Sequence, residues 1–283
     1  MNIPIIKVER LKKIYGKKKK MFFKNKETTS VTAVNDISFS ITKGETFGLI
    51  GESGSGKTTT GRMIMKLIDP TAGKIYYKGQ LINNFTKKEI RKYRTKVQII
   101  FQDSGSAFNP RYPIGNQIAY PLIKNMEYDR IKAKEEVYRA LKLVGLRDEF
   151  ADRYPHQLSG GQRQRAGIAR ALVLYPEFLV LDEPVSALDV SVRAQIITLL
   201  ENLQKEFGFT YLFIAHNLDL VAYFCDRVAV MDKGKIVEMN LTEKLFKNPQ
   251  TKITKKLLGS ILTVDGSLSE INHEIYKVDS VNV

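Results

Sequence analysis

The run Gly51-Glu52-Ser53-Gly54-Ser55-Gly56-Lys57-Thr58 has the residue types and spacing of a polyphosphate cradle. Glycines let a backbone wrap until its N–H groups face phosphate oxygens, and the positive end of a following helix adds to the attraction. In that frame Lys57 neutralises β- and γ-phosphate charge, the Thr58 hydroxyl binds Mg²⁺, and Thr59 completes the nucleotide-binding set. Such a loop needs a carboxylate on a neighbouring strand, which Phe178-Leu179-Val180-Leu181-Asp182-Glu183 supplies. Asp182 ends an apolar run, where a parallel sheet gathers its ligands. Glu183 can accept a proton from, or orient, water that attacks a γ-phosphate. The plainer reading of this Asp-Glu pair is a helix N-cap.

A third element is Leu158-Ser159-Gly160-Gly161-Gln162, followed by Arg163-Gln164-Arg165. A hydroxyl and two bare backbone N–H groups at a helix start make another anion site. One chain with one phosphate cradle has no need of a second, unless it serves another molecule's nucleotide.

With Leu158–Gln162 ending 20 residues before Asp182, the chain resembles the ATP-binding-cassette (ABC) ATPases over most of its length. The resemblance implies a role for Gln102, in Ile99-Ile100-Phe101-Gln102-Asp103, as the glutamine that contacts Mg²⁺ and attacking water and couples the site to membrane subunits. It implies that Ser186-Ala187-Leu188-Asp189 is the D-loop and that His216 is the switch histidine at the γ-phosphate; a lone His at a strand end is otherwise structural. Tyr15 resembles the aromatic that stacks on adenine, although it could simply pack in a hairpin. Two such cassettes would dimerise head to tail, each ATP lying between one P-loop and the other chain's Leu158–Gln162. The implied fold is α/β, a P-loop NTPase of the ABC ATPase type: a RecA-like core with a parallel sheet, an N-terminal antiparallel β-subdomain and an inserted helical subdomain. Its implied divisions are 1–100 for the β-subdomain and the P-loop part of the core, 101–165 for the Gln102 loop and helical subdomain, 166–240 for the rest of the core, and 241–283 for a C-terminal extension.

The hydrophobic pattern supplies elements to carry these residues. Ile5–Leu11 and Val31–Ile41 read as strands, and Thr46–Ile50 as a buried strand entering the glycine loop. Thr58–Ile68 has helical spacing and stops before Asp69-Pro70. Residues Gly105 to Pro121 are rich in Gly, Pro and Asn and read as an irregular surface segment. Asp129–Val144 reads as an amphipathic helix capped by Asp129, with Ile131, Val137, Leu141 and Val144 on its apolar side. A helix follows Ser159, then come a strand at Phe178–Leu181, a helix at Ser191–Phe207 ending on Gly208, a strand at Tyr211–Ala215 and a hairpin through Asp232-Lys233-Gly234.

The chain of 283 residues is 43% hydrophobic, enough for a substantial core, and carries a net charge of +15. Residues 1–30 and 61–100 each hold ten Lys and Arg against two acids, so the remainder is close to neutral. Two basic patches raise anionic partners, nucleic acid or phospholipid, against an ordinary solvated surface. No run approaches the roughly 18 apolar residues of a membrane span. The one cysteine, Cys225, has no intrachain partner, and charges at Lys7, Glu9 and Arg10 interrupt any signal peptide. The expectation is a peripheral protein on the cytoplasmic face of the cell membrane.

Within the family, several stretches look like the F-type ATP-binding subunits of oligopeptide and dipeptide importers. These include Lys43–Thr46, Gly48–Gly54, Ser106–Arg111, Asp189–Gln195 and Gly234–Glu238. That likeness implies ATP and Mg²⁺ as cofactors and, as partners, a second cassette (identical or different), two permease subunits and an extracellular substrate-binding protein. Asp103–Tyr120 would form the groove for a permease coupling helix. The tail Asn248–Leu258 lacks the His-Pro-Tyr expected before Thr251-Lys252, which keeps nickel or a metal chelate open as cargo; it also lacks a cysteine cluster, so no iron–sulfur centre is expected. A nucleic-acid-associated ABC ATPase is the alternative of a different class, against which stand the 99 residues between Thr58 and Leu158, too few for a coiled-coil arm. The expected partners therefore exclude nucleic acid. The intact Glu183, His216 and Leu158–Gln162 oppose a non-hydrolysing regulatory cassette, and the lack of fused membrane helices opposes an exporter. If the N-terminal charge faces an anionic leaflet, neutralising Lys17–Lys20 should weaken binding to anionic liposomes; unchanged binding would leave only a solvated surface.

Overall fold

A computed structural model describes residues 3–16, 30–102 and 107–259. The expectations for Lys17–Lys20, for the rest of the stretch 17–29 and for the groove residues 103–106 lie outside them. The N-terminal part comprises strands β1 (Ile6–Tyr15), β2 (Val31–Ile41) and β3 (Thr46–Ile50), helix α1 (Lys57–Ile64), strands β4 (Ala72–Tyr77) and β5 (Gln80–Leu81), helix α2 (Lys87–Lys96) and strand β6 (Val97–Ile100). Helices α3 (Ile114–Met126), α4 (Arg130–Leu143) and α5 (Gly160–Leu172) follow. The chain then alternates through β7 (Phe178–Asp182), α6 (Val190–Phe207), β8 (Thr210–Ile214), α7 (Leu218–Phe224), β9 (Arg227–Asp232) and β10 (Lys235–Leu241), and α8 (Thr242–Lys247) and α9 (Lys252–Gly259) are the last described elements.

Two sheets form. One is antiparallel, in the order β2-β1-β4-β5; the other runs β10-β9-β3-β8-β7-β6. In the second sheet β9, β3, β8, β7 and β6 are mutually parallel, and β10 closes one edge as a hairpin partner of β9. Its central strands are buried along their whole length. Phe178 and Val180 face a core shared with the antiparallel sheet and α1, while Leu179 and Leu181 face a core shared with α5 and α6. This two-sided burial is why these strands read as unbroken apolar runs rather than as alternating ones.

The segment expected to be irregular contains most of helix α3. Ile114, Ile118 and Leu122 recur every fourth residue and are fully buried, and this stripe outweighs the Gly, Pro and Asn around it. Pro113 stands at the N-cap, where a missing N–H costs nothing, and Pro121 sits inside the helix. Helix α1 ends at Ile64, short of Ile68, because Lys66 turns left-handed (φ 56°) and its ammonium reaches Asp69 Oδ1 at 2.5 Å and the Asn83 carbonyl at 2.8 Å. Asp129 caps α4 by accepting from the Lys132 N–H, but Ile131 is 77% exposed; Ala133, Val137, Ala140 and Leu141 form the buried face instead.

Helix α1 lies directly on the parallel sheet at Gly61, where an added Cβ would stand 2.9 Å from Ile214 Cδ1 and 3.1 Å from Val180 Cγ1. Gly61→Val is expected to lift α1 from the sheet and to cost about 1–3 kcal/mol, the range for overpacking a tight contact, read as a lower urea midpoint at unchanged m-value.

Candidate functional site

The parallel strands deliver their C-terminal ends to one edge of the sheet, and the loops leaving those ends carry most of the residues singled out above. The loop after β3 is pressed against its neighbours at two glycines. A Cβ on Gly51 (φ 146°) would stand 2.1 Å from the Met231 carbonyl oxygen, and one on Gly56 (φ 107°) 2.3 Å from that of Ala33. These approaches fix the loop against β9 and β2, with Gly234 N–H donating to the Ser55 carbonyl at 3.0 Å. Helix α1 starts at Lys57, and the first N–H groups of a helix lack intrahelical partners and attract anions. Glu52, Ser53 and Gly54 are exposed, whereas Ser55 and Lys57 are buried.

Lys57 folds back into its own loop, donating to the carbonyls of Gly51 (2.7 Å) and Glu52 (2.9 Å) and to Ser55 Oγ (3.4 Å). Burial lowers its pKa, against the opposing pull of Glu183 and Asp182. Thr58, on the next residue, donates through Oγ1 to Asp182 Oδ1 at 3.0 Å. Asp182 is itself buried at the end of β7; burial raises its pKa, opposed by the Thr58 hydrogen bond and the Arg62 charge. A hydroxyl and a carboxylate so placed are the hard oxygen donors that suit Mg²⁺. Among the described residues no cluster of three or more His, Cys, Asp or Glu forms a metal cage.

The register Asp182↔Ile214 puts the residue after β7 beside the residues after β8. Glu183 occupies the left-handed region (φ 52°), its N–H donating to the Ile214 carbonyl at 2.9 Å, and its Oε2 lies 3.2 Å from His216 Nδ1. The His216 side chain is 62% exposed. Gln102, exposed, follows β6, whose Ile100 pairs with Leu181. Tyr15 ends β1 paired with Val31, two residues from Ala33 at the glycine loop, and is 42% exposed.

Leu158–Gln162 stands apart from this cluster, at the start of α5. Ser159 N–H donates to Gln162 Oε1 (2.9 Å) and Gln162 N–H to Ser159 Oγ (3.3 Å), a capping box that fixes the turn. Leu158 is buried while Ser159 and Gly160 are exposed. Gly161 abuts Val192, and Gly160 lies near Leu188. The Ser186–Asp189 segment links the two regions: Ser186 Oγ donates to the Glu183 carbonyl at 3.2 Å, and Asp189 caps α6 by accepting from Val192 N–H at 3.0 Å. Arg193 secures the segment by donating to the Leu188 carbonyl at 2.6 Å. Two contacts at the site had no signature in the sequence. Lys256, on α9, reaches Glu52 Oε1 at 2.9 Å and holds that carboxyl below its usual range, and Lys13 lies over the Tyr15 ring. Their Lys-rich surroundings gave no reason to single out either one.

Comparison with known proteins shows the family of the chain. Residues 34–186 match the family model described as ABC transporter. The oligopeptide transport ATP-binding protein OppF of Bacillus subtilis is 48% identical over 234 residues, which span 82% of this chain and 77% of that protein. The dipeptide transport ATP-binding protein DppF of Haemophilus influenzae is 46% identical over 261 residues, 92% of this chain and 78% of that one. Among solved structures, the ATP-binding cassette MJ0796, a dimer bound to ADP and Pi in a post-hydrolysis state, superposes with a TM-score of 0.72 at 28% identity, covering 84% of this chain and 98% of that one. A cassette fold, relatives 46–48% identical over most of the chain and a family match over more than half of it converge: this chain belongs to the ABC transporter family, as one of its ATP-binding subunits.

Proposed function

We propose that the chain is the MgATP-hydrolysing motor of a peptide importer. One observation carries the chemical part: Lys57, Thr58, Asp182, Glu183 and His216 meet at the ends of three adjacent parallel strands. The peptide part rests on relatives named for oligopeptide and dipeptide transport.

In this reading the glycine loop and the first turn of α1 receive the phosphates, and the Lys57 ammonium leaves its carbonyl partners for β- and γ-phosphate oxygens. Thr58 and Asp182 hold Mg²⁺, which when bound neutralises phosphate charge; Gln102 lies on the neighbouring strand end as a further oxygen donor. Glu183 orients the attacking water and takes its proton, while its O–P bond forms and the bond from the γ-phosphorus to the ADP oxygen breaks. The left-handed backbone of Glu183 costs about 1–3 kcal/mol, a strain of the kind that active sites store. His216 Nδ1 steadies Glu183 at 3.2 Å and, being largely exposed, can turn to the γ-phosphate. Tyr15 stacks on the adenine. The exposed Ser159 and Gly160 serve the nucleotide of a second cassette, whose approach the dimeric ADP-bound neighbour supports.

No helix among the described residues is long and apolar enough to cross a membrane. In this reading permease subunits supply the transport path and hold this chain peripherally at their cytoplasmic face. The surface that carries Gln98 of β6 presents Tyr112 and Tyr120, both more than half exposed, as contacts for a permease. Cargo enters through those permeases from an extracellular binding protein. In the assembled complex, Glu183→Gln should lower steady ATP hydrolysis by about 10²–10⁴-fold, the span for loss of a general base, while ATP binding survives. Undiminished turnover would remove Glu183 from the role, and uptake of nickel rather than short peptides by the complex would overturn the cargo.

A further inference from the structure

We propose that Lys13 is a positioning residue for the nucleotide base, holding the Tyr15 ring at a set distance from the phosphate cradle. The inference rests on the reading of Tyr15 as the adenine platform.

The Lys13 ammonium stands 5.2 Å from the centroid of the Tyr15 ring, within reach of a cation–π attraction, and donates to the Asp69 carbonyl at 2.6 Å. Asp69 lies in the loop that leaves α1. The same loop grips the end of β1 twice more: Ile14 N–H donates to Thr71 Oγ1 at 3.0 Å, and Thr71 N–H to the Lys12 carbonyl at 2.8 Å. The buried Lys66 holds the Asp69 carboxylate from the other side. Helix α1 begins at Lys57 of the cradle. One short helix and its exit loop therefore connect the phosphate site to the strand end that bears Tyr15, and Lys13 is the side chain that carries this connection to the ring itself.

A cation on one face leaves the opposite face for a base, and restricting the ring before binding reduces the ordering cost of stacking. A lysine that acted only as a surface charge would instead attract any anion, with or without a base.

This difference supplies the test. Affinities for MgATP and for inorganic tripolyphosphate with Mg²⁺ would be measured calorimetrically on the full chain, each variant carried in Glu183→Gln to prevent turnover. Lys13→Met is expected to weaken MgATP binding about 3–10-fold, with tripolyphosphate affinity unchanged, which also shows that the phosphate site is folded. Lys13→Arg should restore MgATP affinity, and in a Tyr15→Ala background Lys13→Met should add no further loss. Equal losses for both ligands, or a loss that persists without Tyr15, would reduce Lys13 to a surface charge and overturn the proposal. If Tyr15→Ala weakens MgATP but Lys13→Met does not, the Lys13 inference alone fails. If Tyr15→Ala leaves MgATP affinity intact, the platform reading fails and the inference with it.

Discussion

The parallel pairing of β3, β8 and β7 is the constraint on which the rest of this molecule depends. Leu49 and Asp182 both pair with Ile214, so the glycine loop, the acidic pair and His216 emerge side by side. Side chains alternate across a sheet, so a slip of one residue in β7 would turn Asp182 away from Thr58 and move Phe178 and Val180 into the wrong core. Burial on both faces makes such a slip costly. The packing that stabilises the sheet is thus also what aligns its reactive edge.

The site built on that edge holds opposed charges in partial isolation from water. Burial disfavours the charged form of Lys57 and of Asp182, and each is steadied by a local partner: backbone carbonyls for the ammonium, the Thr58 hydroxyl for the carboxylate. These partners stand where a polyphosphate and a divalent cation would offer stronger ones. Both groups are thus already desolvated in the folded chain. Gly51 and Gly56 serve the same end, since the carbonyls of Met231 and Ala33 occupy the space a side chain would need.

Legibility varied with how local the signal was. The central strands were readable because continuous apolar runs of Val, Ile, Leu and Phe have few other solutions, and Asp129 was readable as a cap because capping involves neighbours three residues apart. Helix α3 was obscured because its glycine and prolines outweigh three well-spaced apolar residues until the core they enter is known. Ile131 failed because it stands six residues before Val137, off the spacing on which α4 buries Ala133, Val137, Ala140 and Leu141. Lys13 and Lys256 were invisible because nothing in a lysine's sequence context says which aromatic ring or carboxylate it will meet.

The sequence by itself determined the chemistry available here. A loop of glycines followed by Lys57 and Thr58, an acidic pair after an apolar strand, and a Ser-Gly-Gly turn at a helix start are local patterns, legible because each is satisfied within a few residues. Only the tertiary structure decided which of these groups act on one another. Thr58 and Asp182 are 124 residues apart, and Lys256 is 204 from Glu52. Such pairs are set by strand register and by the packing of α1 and α9, long-range contacts whose free energy belongs to the whole core and is written in no single segment.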